Sequence, residues 1–114
     1  MLGETIGYDD FLKVEVRVGR VVAAEPFPEA RKPAIKLRID FGADIGERRS
    51  SAQITDHYTP ESLVGRQVLA VVNFSPKQIG PFMSECLVLG LSDAEGRVVL
   101  IGPDRDVPLG ARMH

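Results

Sequence analysis

Two stretches of this chain alternate apolar and charged residues one for one, and they leave little choice of backbone. In residues 13–22, Val14, Val16 and Val18 alternate with Lys13, Glu15 and Arg17. In residues 34–41, Ile35, Leu37, Ile39 and Phe41 alternate with Lys36, Arg38 and Asp40. Side chains two apart share one face of a strand, so each stretch predicts an extended segment with one buried and one wet face. Gly19 interrupts the first alternation, which predicts a bulge or tight bend of the kind a strongly curved sheet needs. Pro26 and Pro28 then end ladder pairing, because proline has no N–H to donate. The 13 valines and 7 isoleucines of the chain favour pleated, half-buried positions elsewhere too.

Four more strands follow from the same reasoning. Residues 48–54 are polar in their first half. Residues 66–74 contain a continuous apolar run at 68–72, which predicts burial on both faces. Residues 84–91 and 97–101 form the last pair, joined by a hairpin turn with Gly96 where positive φ is needed. Between the third and fourth strands lies one short helix, with Thr59 as its cap, Pro60 at the first helical position and Gly65 after its end. Tyr8, Phe11 and Leu12 suggest another short helix near residues 6–12. Nothing alternates strand with helix, so a parallel sheet is disfavoured. The pattern predicts an all-β fold. It matches a five-stranded oligonucleotide/oligosaccharide-binding (OB) barrel with a helix after strand three; another small barrel or sandwich also fits.

At 114 residues the chain suits a single domain. The expected layout is an N-terminal extension to about residue 13, a barrel over about 14–102, and a C-terminal segment from about 103. Net charge is −2, with ten arginines to four lysines. A strongly basic nucleic-acid binder would look different. Charge is nonetheless uneven: residues 1–15 carry a net −3 and residues 31–49 a net +3. One basic face is therefore expected. The lone cysteine, Cys86, excludes an internal disulfide and paired-cysteine zinc sites, and points to a reducing cytoplasm. No apolar run approaches the roughly 20 residues of a membrane helix, and the first residues carry neither a basic start nor an apolar stretch, so no signal peptide is expected.

Catalytic chemistry is thinly supported. A hydrolytic triad would need His57 with Cys86 or a serine, oriented by an acid such as Asp56. No Gly-x-Ser-x-Gly elbow is present. Cys86 lies within a strand pattern, where a buried, inert thiol is expected. Two histidines and scattered carboxylates give no metal spacing, and no cofactor or ATP motif appears. No enzymatic activity is expected.

Binding features are stronger. Residues 73–84 predict a loop over the barrel mouth, with apolar walls and polar rims. A polypeptide site would draw on Asn73, Phe74, Ile79, Phe82, Met83 and Ser84 from this loop, with Gln53 beside it. Flexible Met83 with Phe82 and Phe74 would supply adaptable walls. A nucleic-acid site would instead use a basic patch of Arg31, Lys32, Arg48, Arg49 and Lys77, with Ser51, Asn73 and Ser84 as hydrogen-bonding groups. There is no tryptophan and only two tyrosines, so no run of aromatics offers a stacking platform.

Several strings carry a family resemblance. Val16-Arg17-Val18-Gly19, Ser50-Ser51-Ala52-Gln53-Ile54, Val71-Val72-Asn73-Phe74 and Met83-Ser84-Glu85 resemble the tRNA-binding domain superfamily, which includes the C-terminal appendage of methionyl-tRNA synthetases. Residues 25–34, 50–55, 57–60 and 78–85 resemble more closely the CsaA family of secretion chaperones. The resemblance covers nearly the whole chain. It implies an OB barrel that works as a homodimer through terminal segments. It further implies export-related chaperone activity without ATP, with unfolded preproteins and the translocation ATPase SecA as partners. The alternative it implies is a free-standing tRNA-binding module acting in trans. Tyr8, Phe11 and Leu12 at one end, and Val107, Pro108, Leu109 and Met113 at the other, are apolar residues outside the expected strands and suit a dimer interface. One departure is Cys86, which stands where tRNA-binding members continue Met-Ser-Glu with glycine.

Overall fold

The computed structural model describes residues 2–114. In chain order the elements are α1 (Tyr8–Leu12), β1 (Val16–Pro26), β2 (Ile35–Asp40), β3 (Glu47–Ala52), α2 (Pro60–Leu63), β4 (Gln67–Val71), β5 (Lys77–Ile79), β6 (Phe82–Ser84), β7 (Leu87–Val88), β8 (Gly90–Ser92) and β9 (Val98–Leu100). The two alternating stretches become neighbours: β1 and β2 pair antiparallel, with Val21 opposite Ile39 and Ala24 opposite Leu37. The main sheet has the order β3-β2-β1-β4-β7, antiparallel throughout. Its two ends nearly meet. The Glu85 N–H donates to the Arg49 carbonyl at 2.7 Å, and the Ser50 hydroxyl donates to the Cys86 carbonyl at 2.9 Å. The result is a nearly closed five-stranded barrel with a short helix between β3 and β4, the OB architecture expected.

The barrel core is the predicted apolar face of β2 meeting Val21, Phe41, Ile54, Leu63, Val68 and Ala70. Burying each such side chain contributes about 1.5–3 kcal/mol. The helix α2 is built as the sequence indicates. Its Thr59 cap accepts from the Ser62 N–H at 3.2 Å, proline opens it, and Leu63 is fully buried in the barrel core.

Three expectations need correction. Gly19 is not the bulge: it sits in regular register opposite Val68, and the ladder slips two residues later, between Val21 and Ala23. The glycine is required by close approach, as a Cβ there would stand 2.4 Å from Ile39 Cγ2. Residues 84–91 are not one strand. The chain leaves β6, crosses the edge of β3 at Glu85 and Cys86, and re-enters the sheet as β7 before turning into the β8–β9 hairpin. Residues 77–84 are not an open loop: β5 and β6 form a hairpin around Gly80, whose φ is +54°.

A second apolar layer lies outside the barrel. Val16, Val18 and Val71 are buried yet belong to the opposite face of β1 and β4 from Gly19 and Val68. The C-terminal residues run beside them. Gly110 N–H donates to Val18 O, Val18 N–H to Ala111 O, and Met113 N–H to Val16 O, at 2.8–3.0 Å. They occupy the edge of β1 that β2 leaves free. The Gln67 amide holds Val107 by both its N–H and its carbonyl. By contrast, α1 buries none of its residues, and Ile6, Tyr8, Leu12 and Val14 are exposed. No helix among the described residues is long and apolar enough to cross a membrane.

Candidate functional site

The β5–β6 hairpin divides the candidate residues, because a strand sends alternate side chains to opposite faces. Its register sets Lys77 opposite Ser84, Gln78 opposite Met83 and Ile79 opposite Phe82. Lys77, Ile79, Phe82 and Ser84 therefore share one face, and Gln78 and Met83 the other. Phe82 and Met83, expected to form one wall, are on opposite faces.

On one flank, the Phe82 ring rests 5.5 Å from the Phe27 ring, with the Arg49 guanidinium 5.5 Å and the Lys36 ammonium 5.8 Å from its centroid. Phe27 is buried behind the Phe82 ring, while Phe82, Lys36 and Arg49 border, with Arg38, a hollow of about 200 Å³ on the outer face of β1–β3. Its cations are already paired: Lys36 with Glu25 at 3.1 Å, Arg38 with Glu47 at 2.9 Å and Arg49 with Glu85 at 3.4 Å. Lys36, Arg38 and Phe27 were not among the expected site residues. The alternation of Lys36 and Arg38 on a wet strand face was the available signal.

Lys77, Ile79 and Ser84, on the same hairpin face as Phe82 but away from that hollow, line three further adjoining hollows of about 360, 420 and 660 Å³. The two larger share Ser51, Gln53, Lys77 and Ile79. The two smaller share Lys77, Ser84, Cys86 and Leu87. Together they form one trough along the hairpin. Arg31 and Lys32 line one end, Leu87 and Leu91 the other, and Phe74 lies beyond Leu87. The apolar end is open to solvent: Phe74 is 57%, Leu87 50% and Leu91 65% exposed. Leu87 and Leu91 escaped sequence reasoning because they read as ordinary strand residues.

Of the expected polypeptide-site residues, the structure brings Gln53, Ile79, Ser84 and Phe74 to the trough. The Ser84 hydroxyl accepts from the Ser51 N–H at 3.2 Å, so a side chain completes part of the β3 edge. Asn73 is spent elsewhere. Its carbonyl accepts from Glu15 N–H at 3.0 Å and its amide donates to Lys13 O at 2.7 Å, tying down the end of α1. The basic patch is divided as well. Arg48 and Arg49 are adjacent in β3 and so point to opposite faces, and Arg49 is held by Glu85. Arg48, Arg31, Lys32 and Lys77 have no carboxylate partner among the described residues, and of these Arg31, Lys32 and Lys77 line the trough.

Burial pushes the Cys86 thiol up to about 12, far from a thiolate nucleophile. The His57 ring stands 2.6 Å from the Asp93 carboxylate, locking the β3–α2 connection to the β8–β9 turn. No group of three potential metal ligands occurs among the described residues.

The family model described as a putative tRNA binding domain matches residues 16–112. A crystal structure of the chaperone CsaA from Bacillus anthracis superimposes with a TM-score of 0.91 at 49% identity, covering 97% of this chain and 100% of that one. The CsaA chaperone protein from Picrophilus torridus gives 0.90 at 47% identity, covering 96% and 100%. A methionine–tRNA ligase from Methanococcus aeolicus is 38% identical over 108 residues, 95% of this chain. The chain spans about 15% of the length of the curated methionine–tRNA ligases it matches. By these matches the chain belongs to the tRNA-binding domain family, and within it two CsaA chaperones are matched over their full length at 47–49% identity.

Proposed function

We propose that this chain is a cytoplasmic, homodimeric chaperone of the CsaA kind, which holds unfolded preproteins in the trough and releases them to the translocation ATPase SecA without using ATP. The observation that carries this reading is the trough itself, on a chain that covers the whole length of two CsaA chaperones. Its aliphatic wall of half-buried Ile79 with exposed Leu87 and Leu91 suits apolar side chains of any shape, and Ser51, Gln53 and Ser84 offer hydrogen bonds to an extended backbone. The exposed N-terminal apolar residues support a dimer that buries them. The layout supports 14–102 as the barrel, with residues 1–13 and 103–114 contributing to the dimer.

The test is fluorescence anisotropy with an extended, apolar labelled peptide. Ile79→Ser combined with Leu91→Ser is expected to weaken binding at least about tenfold, since buried aliphatic contacts carry such sites. Unchanged affinity in a folded variant would remove the trough from the reading.

The hollow around Phe82 favours a second reading, a free-standing tRNA-binding module. Lys36 and Arg49 flank one aromatic ring there and Arg38 lines the same hollow, a pairing of cations with a ring that suits a nucleotide. Titration of tRNA across salt concentrations separates the readings. Micromolar binding with a steep negative salt slope, lost in Arg49→Glu, would favour RNA.

A further inference from the structure

We infer that the polypeptide this trough takes is acidic next to its apolar stretch, and that the cations at one end select for it. This rests on the polypeptide reading above and adds a charge preference to it. The molecule carries a net −2, yet the largest of the trough's three hollows is lined by Arg31, Lys32 and Lys77 against a single carboxylate, Glu29. On the outer face of the sheet every cation beside Phe82 is neutralised by a glutamate of the same chain. The three in the trough have no such partner among the described residues, and all three are exposed.

The two ends of the trough differ in chemistry. Around Leu87, Leu91 and Val98 the lining is aliphatic, with Lys77 as the charged residue. Around Arg31 and Lys32 it is cationic and polar. Ser51, Gln53, Lys77 and Ile79 line both hollows, so one extended segment lying along them meets the aliphatic end and the cationic end in turn. A chain with apolar residues followed by aspartate or glutamate complements that order, and a lysine-rich chain is repelled. Nucleic acid fits less well. Neither of the two larger hollows has an aromatic residue in its lining, and Phe74 at the far end of the trough is a single ring, so successive bases find no run of rings to stack on.

The experiment compares two labelled peptides with one apolar sequence, flanked in one by glutamates and in the other by lysines. At low salt the glutamate-flanked peptide is expected to bind at least about tenfold more tightly, with the gap closing as salt rises. In the triple variant R31E/K32E/K77E the preference is expected to reverse. All three side chains are exposed, so the fold, checked by circular dichroism, is retained. Equal binding of both peptides, or a preference for lysine, would overturn the charge preference and leave the polypeptide site standing. Failure of both peptides to bind would overturn the polypeptide reading itself. A ribo-oligonucleotide that binds more tightly than either peptide, and loses that binding in the same variant, would assign the trough to nucleic acid and overturn the inference.

Discussion

At Gly19, one absent methyl group sets how tightly the barrel closes. A Cβ there would stand 2.4 Å from Ile39 Cγ2 and 2.8 Å from the Phe41 ring, both fully buried. Such overpacking costs about 1–3 kcal/mol. Gly19→Ala is expected to lower the urea midpoint with an unchanged slope. An unchanged midpoint would mean that Ile39 and Phe41 can yield. The His57–Asp93 contact makes a pH prediction at the same scale. The hydrogen bond from His57, then the backbone N–H groups of Arg97 and Glu95, hold the Asp93 carboxyl below its ordinary value, against the opposing effect of desolvation. A carboxyl with a lowered folded pKa stabilises the fold above its unfolded pKa and loses that contribution as pH falls through the folded value. The stability difference between the native chain and Asp93→Asn is therefore expected in full above the ordinary carboxyl pKa of about 4 and should fade as pH falls below it. A difference that persists in acid would show that packing, not charge, is responsible.

Elements separate what the sequence could reveal from what it could not. The strands β1, β2 and β4 and the helix α2 were legible because their evidence is local: a period of two, an apolar run, a cap followed by proline. The hairpin β5–β6 was not, since three-residue strands carry no period, and only the register reveals that Phe82 and Met83 diverge. The pairing of Arg38, Lys36 and Arg49 with glutamates was likewise hidden, because those partners come from neighbouring strands or across the barrel gap. The same holds for Asn73, whose amide is committed to residues about 60 positions away. The C-terminal segment gives the sharpest contrast. Its apolar residues suggested a dimer segment outside the barrel; its backbone also continues the sheet beside β1, next to the buried Val16 and Val18, which no local pattern signals. Truncation after Asp106 removes three backbone hydrogen bonds to β1 and leaves the buried Gln67 amide unpartnered. At about 1 kcal/mol per bond, with a further penalty for the orphaned amide, a loss of roughly 3 kcal/mol or more is expected. Thermal unfolding of the truncated chain measures it. A truncated chain as stable as the whole would show that these contacts add nothing to the barrel's stability.

For the whole molecule, the unresolved economy is at the N-terminus. Leu2, Ile6, Tyr8, Leu12 and Val14 are all exposed, and α1 buries nothing within its own chain. Its far end is nevertheless fixed, by Asn73 and by the Arg112 guanidinium donating to Leu12 O at 2.7 Å. A short helix that is anchored but uncovered is accounted for if a second copy covers it, because twofold symmetry lets one apolar patch bury itself. Sedimentation is then expected to give twice the chain mass, and Tyr8→Glu with Leu12→Glu to give a monomer. Because those side chains are exposed, the double variant is expected to keep its native circular dichroism. The same variant separates affinity from avidity. A short peptide occupies one trough and should bind as before. A long unfolded polypeptide spans two troughs in the dimer, and its binding should weaken about 100-fold or more once the second is lost. Equal weakening of both ligands would place α1 in the binding site itself, and a wild-type chain that sediments as a monomer would leave each trough to act alone.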